Sequence, residues 1–180
     1  MRTYLQKNQP MRKLFTTLVL VMIAAAAAAQ IKVPGTNVEF NLPTNEWKYL
    51  QTTKVDKNTN VYLYSYNARN VIDQEGDTII PFLRIYVRKN YTKSVYDLAY
   101  DRFTAQPFQA LDEYTEGLPN SGIGYIGAYS SAYDEKDHQF RMIYFKDRNT
   151  ALEFRAETTV DTYNDFADTF KKILESIQIH

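Results

Sequence analysis

From Phe140 onward, apolar and polar residues alternate with the periods of regular secondary structure. Arg141-Met-Ile-Tyr-Phe145 and Leu152-Glu-Phe-Arg-Ala-Glu-Thr158 repeat every second residue, as half-buried strands do. The polar segment Lys146-Asp-Arg-Asn149 between them predicts a hairpin. Beyond it, Tyr163, Phe166, Ala167, Phe170, Ile173, Leu174 and Ile177 step by three and four, which places them on one face of a helix. Thr162 is the expected N-cap, with Asp165 placed to complete a capping box.

Further upstream the same patterns predict more sheet. Val38-Glu-Phe-Asn-Leu42 alternates and is closed by Pro43. Trp47–Lys54 reads as a second strand and Val61–Tyr66 as a third, with residues 55–60 as the turn between them. In the third strand Val61, Leu63 and Ser65 share one face, and Tyr62, Tyr64 and Tyr66 the other. A polar loop containing Asp73-Gln-Glu-Gly-Asp77 leads to a strand over Ile79–Arg88. Ser94 and Asp97 form the signature of a capped helix that runs through Val95, Leu98, Ala99, Arg102 and Phe103 to a stop at Pro107. Short strands are expected at Phe108–Tyr114 and Tyr125–Tyr133. Strands, a helix, hairpins and a terminal helix make an α+β fold with a mainly antiparallel sheet.

Three stretches together carry a family resemblance. They are Phe40-Asn-Leu-Pro-Thr-Asn-Glu-Trp47, the Ser94–Phe103 helix after a hydrophobic strand, and the closing hairpin with Phe166, Phe170, Ile173, Leu174, Ser176 and Ile177. Over about Val38–Ile179 the chain resembles the PsbP-like family: extrinsic photosystem subunits, Ran-binding nuclear transport relatives and small exported bacterial proteins. The resemblance implies an antiparallel sheet flanked by helices on both faces, an α/β/α sandwich. It also implies a binding or assembly role, and it carries over no catalytic residues.

The N-terminus changes the picture of location. Met11-Arg-Lys13, the apolar run Leu14–Ile23 and the alanines up to Ala29 have the order of a secretory signal peptide. At sixteen residues, Leu14–Ala29 falls short of the roughly 20 needed to span a bilayer. Residues 1–29 are therefore expected to be removed, with Met11 as an alternative start, leaving a single domain over residues 30–180. No Cys follows the alanines, so the expectation is a periplasmic or extracellular protein that is not a lipoprotein and keeps no stable membrane span. Residues 30–180 hold 17 Lys and Arg against 21 Asp and Glu, a net charge of −4. That balance gives nucleic acid no phosphate-neutralising surface. With no Cys at all, disulfides and thiolate chemistry are excluded, and stability has to come from a core rich in Tyr and Phe.

Candidate chemistry is sparse. Gly122-Ile-Gly-Tyr-Ile-Gly127 matches the dinucleotide fingerprint, but β-forming residues follow it where a helix should start; glycines marking a close approach in a strand are the better account. Asp134, Asp137 and His138, with Glu135, form one charged loop, and Asp73, Glu75 and Asp77 another. Clustered carboxylates suit a hard cation, but the spacing of the first fits no EF-hand and Lys136 interrupts it. The second is an alternating acidic run around Gly76, and for both a solvated charged loop is the commoner account. No serine lies in a nucleophile-elbow context. An aromatic set, Tyr62, Tyr64 and Tyr66 with Tyr86 on a neighbouring strand, could stack on sugar rings or pack as core. The residues favour an exported, non-enzymatic binding or assembly protein of the cell envelope, with a protein or envelope component as partner and no cofactor. The alternative is a small-molecule or glycan module using the aromatic face. A hydrolase with a carboxylate pair at the Asp134–His138 loop ranks third.

Overall fold

The computed structural model describes residues 30–67 and 70–180. The segment read as a signal peptide lies outside the described residues. In chain order the strands and helices are β1 (Gln30–Lys32), β2 (Val38–Asn41), β3 (Trp47–Lys54), β4 (Thr59–Tyr66), β5 (Val71–Ile72), β6 (Thr78–Ile79) and β7 (Phe82–Arg88), then helix α1 (Val95–Ala105). There follow β8 (Gln109–Tyr114), β9 (Ile123–Ser130), β10 (Asp137–Asp147), β11 (Thr150–Thr159), helix α2 (Tyr163–Glu175) and β12 (Gln178–Ile179). A seven-stranded sheet has the order β3-β4-β7-β11-β10-β9-β8, and every neighbouring pair is antiparallel. The predicted C-terminal hairpin, β10 and β11, is its centre and pairs without a break from Asp147–Thr150 to His138–Thr159.

Period-two alternation along β10 divides the core. Ile143 and Phe145 join Phe154 of β11 and Phe166, Phe170, Ile173 and Leu174 of α2 in one buried cluster. Phe140, Met142 and Tyr144 join Leu98 and Ala99 of α1 in another. The first cluster also takes in Val38 and Phe40 of β2, which belongs to a separate sheet of order β1-β2-β12. Ser176, which caps α2, ties the two together: its hydroxyl accepts from Asn41 N at 2.8 Å and donates to the Ile173 carbonyl at 2.7 Å.

Three details depart from the sequence expectation. β11 was expected to expose alternate residues, yet Glu153, Arg155 and Glu157 are buried, because this strand is central and its polar face is covered by an ion-pair network. Thr162 occupies the N-cap of α2 without a capping bond; its hydroxyl is engaged by Thr158 and Thr159 instead, at 2.8 and 2.9 Å. The loop around Asp73–Asp77 carries its own hairpin, β5–β6. The C-terminal residues are tied down: β12 pairs with β2, and His180 N donates to the Asn37 carbonyl at 3.0 Å. The Ser94–Asp97 capping box at α1 is formed in both directions.

Candidate functional site

Three connections meet at one end of the sheet. The first is the β5–β6 turn. Gly76, at φ +90°, takes the left-handed conformation that the turn needs. Asp73 accepts from the backbone amides of Glu75 and Asp77 at 3.1 and 2.8 Å, which holds its carboxylate inward. The second is the β9–β10 loop, closed by Ser131 N donating to the Lys136 carbonyl at 2.9 Å. The third joins β11 to α2, where Asp161 accepts from Gln74 N at 2.6 Å. Together they border an open, polar cleft of about 490 Å³ lined by Asp73, Glu75, Glu135, Lys136, Asp137 and Asp161 among others.

Lys136 is the hub. Its ammonium lies 2.6 Å from Asp73, 2.8 Å from Glu75 and 2.8 Å from Asp77, so each of its three N–H groups meets a carboxylate. The Asp73 hydrogen bond leads the causes that raise the Lys136 pKa, and the Lys136 bond in turn lowers that of Asp73. The three carboxylates lie within the span that could hold a metal ion, but they already share a cation from the chain itself.

The loop residues singled out in the sequence are brought close together with separate partners. His138 Nε2 meets Asp134 Oδ2 at 2.8 Å, and its ring stacks on Tyr129 with centroids 5.3 Å apart. Asp137 Oδ1 accepts from Ser130 Oγ at 2.6 Å. Asp134 stands between His138 and the Ser131 hydroxyl, and their hydrogen bonds help hold its pKa down against the opposing effect of burial. A serine triad requires the imidazole to stand between serine and carboxylate; here the carboxylate is in the middle.

The tyrosines do not form an open platform. Tyr62 and Tyr64 are only 8% and 6% exposed, and Tyr64 packs edge-on against Phe40 at 5.6 Å. Tyr66 is half-buried against Trp47 and Phe166. Tyr86 pairs with Val61 while Tyr62 pairs with Ile85, so Tyr86 is on the opposite face from the other three. Little of the Tyr62 or Tyr64 ring is left open to stack on a sugar.

Tyr86 belongs instead to a buried charge network that the sequence did not reveal. Arg102 of α1 donates to Glu153 at 2.8 and 3.4 Å and lies over the Tyr86 ring at 4.5 Å. Arg155 donates to the Tyr86 hydroxyl at 3.3 Å and pairs with Glu157, which is also held by Arg84 and Tyr129. Burial pulls the Arg102 guanidinium down, but the Glu153 charge and hydrogen bonds more than offset this and raise it. The only advance signal was the run of three charges at alternate positions on β11.

The glycine motif lies in β9 and the turn before it. A Cβ at Gly124 would overlap the Tyr114 ring, and one at Gly127 the Phe140 ring. Close aromatic packing accounts for both, and a strand follows instead of the helix that a dinucleotide site requires.

No protein-family model and no curated protein matches the sequence. Solved structures do match over nearly the whole described chain. LpqN, involved in cell envelope biogenesis of Mycobacterium tuberculosis, aligns with TM-score 0.52 and 15% identity, covering 89% of this chain and 94% of its own. Cyanobacterial PsbP (CyanoP) from Synechocystis sp. PCC 6803 aligns with TM-score 0.53 and 12% identity, covering 88% and 95%. The Saccharomyces cerevisiae Ran-binding protein Mog1p aligns with TM-score 0.55 and 9% identity, covering 86% and 96%. The chain has the PsbP-like fold, shared with Mog1p and LpqN.

Proposed function

We propose that this is an exported, non-enzymatic binding or assembly protein of the cell envelope, and that it contacts a protein partner through the cleft around Lys136. In this reading residues 1–29 are a signal peptide and residues 30–180 are one α/β/α domain. The two hydrophobic clusters, fed by alternate residues of β10, support helices on opposite faces of the sheet. Location rests on the order of charge, apolar run and alanines in the leader, with the envelope role of LpqN as a structural analogy.

The observation that carries the reading is the character of the cleft. Small-molecule sites are concave, mostly apolar and enclose most of their ligand. This cleft is open and polar, and three separate loops build it around one ammonium group. By contrast, the cavity between α1 and the sheet, lined by Leu98, Ala151, Tyr86 and Arg102, holds about 60 Å³, too little for a sugar or nucleotide. A polar rim with a central charged group suits contact with a protein segment of complementary charge.

A thermal-shift panel of sugars, peptidoglycan fragments, nucleotides and divalent cations tests this. A ligand at about 100 times its Kd adds about 2.7 kcal/mol, which would raise Tm by roughly 5–10 °C at this chain length. The panel is expected to be flat. A clear hit on a small molecule displaces the protein-partner reading.

A further inference from the structure

Charge is polarised along the strand direction. Thr59 pairs with Arg88, Arg88 with Ala151, and Ala151 with Lys146, so the β3–β4 turn, the segment after β7 and the β10–β11 turn share the end opposite the Lys136 cleft. Lys89 N donates to the Asn58 carbonyl and Tyr91 N to that of Asn149, both at 2.9 Å, which joins the three connections. Residues 54–58, 88–93 and 146–149 hold seven Lys or Arg and two acids; Asp97 and Asp101 of α1 lie beside Lys93 and Tyr91, and Glu116 is in the β8–β9 connection at the same end. The two acids of the three loops are engaged by backbone amides: Asp56 by Asn58 at 2.6 Å and Asp147 by Asn37 at 3.1 Å. Lys93 is paired with Asp101 at 3.2 Å, and Arg88 and Lys146 both lie 5.7 Å from the Tyr91 ring. That leaves Lys54, Lys57, Lys89 and Arg148 exposed to solvent. At the other end the two loops hold Asp73, Glu75, Asp77, Asp134, Glu135 and Asp137 and a single lysine, Lys136, which pairs with the first three.

We propose that the basic end docks the protein on an anionic lipid surface, with lipid phosphates as its counter-charges. The cations are spread over three loops around a shallow, open trough of about 600 Å³ between Lys57 and Lys89. A plane of mobile headgroups matches that spread, whereas a single acidic peptide would need one defined groove. Val55, 61% exposed between Lys54 and Lys57, adds an apolar side chain at the hairpin tip that can enter the interfacial region. The acidic end is repelled by the same surface, so docking has one orientation and leaves the Lys136 cleft facing away from the lipid. The proposal stands independently of what that cleft binds.

Co-sedimentation with vesicles of phosphatidylcholine, alone or mixed with phosphatidylglycerol, tests it. Wild type is used in the form that cells accumulate, and each variant is compared in that same form, so any contribution of residues 1–29 is common to all. Wild type should bind the mixed vesicles, not the neutral ones, and should be released by salt as exposed charges are screened. K57Q/K89Q should lose about 30-fold in partitioning, since each basic residue near an anionic surface contributes about fivefold. E75Q/E135Q, at the far end, should not weaken binding. Circular dichroism confirms that each variant is folded. Absent binding to mixed vesicles overturns the proposal, as does K57Q/K89Q binding equal to wild type. Salt-sensitive binding to polyglutamate without vesicle binding also overturns it, in favour of an acidic protein.

Discussion

Lys136 Nζ and Asp73 Oδ2 are 2.6 Å apart across 63 residues of sequence. This contact joins the two charged loops that looked like separate candidates in the sequence. Asp73 fixes its turn by accepting two backbone amides, and Lys136 neutralises the carboxylate that results. Replacing Lys136 with Met should therefore lower Tm more than either Glu75→Gln or Asp77→Asn, whose carboxylates are mostly in water. Equal losses for all three, measured by differential scanning calorimetry, would mean that Asp73 is not the principal partner.

The same pair sets an acid limb to stability. Asp73 is held below its ordinary value of 3.8 in the folded protein, first by the Lys136 hydrogen bond. A depressed folded pKa contributes stability that is present above the unfolded value and is lost as pH falls through the folded one. Urea midpoints should decline from just above pH 3.8 downward, and Lys136→Met should flatten that decline. An unchanged slope in the variant would remove Lys136 as its cause.

Arg102 and Glu153 hold α1 to the sheet in a buried setting, with side chains 20% and 2% exposed. Glu153→Ala leaves a buried guanidinium without its partner and should cost about 3–5 kcal/mol by urea denaturation. Arg102→Leu combined with Glu153→Leu should recover much of that loss, because replacing both charges removes the desolvation cost. A double variant as unstable as the single one would argue that the pair serves shape more than charge.

The Tyr144 hydroxyl is fully buried and has no hydrogen-bond partner among the described residues. Tyr144→Phe removes an unsatisfied polar group and keeps the ring, so it should be neutral or should stabilise by about 1 kcal/mol. A loss of more than that would reveal a partner for the hydroxyl.

Gly127 and Tyr64 test two alternatives to the packing account. Gly127→Ala drives a methyl into the Phe140 ring and should cost about 1–3 kcal/mol. Tyr64→Ala empties a core site beside Phe40 and should cost about 3–5 kcal/mol. Neither should alter binding to nucleotides or sugars, because wild type is expected to bind none. A Tyr64→Ala protein of wild-type stability would instead place the ring at the surface.

The sequence made most of the fold legible where one periodicity acted alone. Ile143, Phe145, Phe166 and Phe170 announce their elements, and Ser94 with Asp97 marks a helix start, because local pattern and capping chemistry suffice there. Thr162 has the same local signature as Ser94, but its hydroxyl has nearby Thr158 and Thr159 as competing partners. Glu153, Arg155 and Glu157 look like a solvated face because their burial depends on Arg84, Arg102 and Tyr129, which come from other elements. Two-residue strands such as β5 and β12 are too short to show a period at all. The cleft was visible only as two acidic loops, since the lysine that joins them is distant in sequence from Asp73 and looked like an interruption of the Asp134–His138 loop.

The most direct test of the partner-binding claim is site-specific photocrosslinking in cells that make the protein. A photoreactive residue at Glu135, on the rim of the cleft, should give one discrete crosslinked protein that disappears when Glu75→Lys is added. The same group at Thr52, on the exposed edge strand β3, should not give it. The same product from both positions, or its persistence in the Glu75→Lys protein, would contradict binding through the Lys136 cleft.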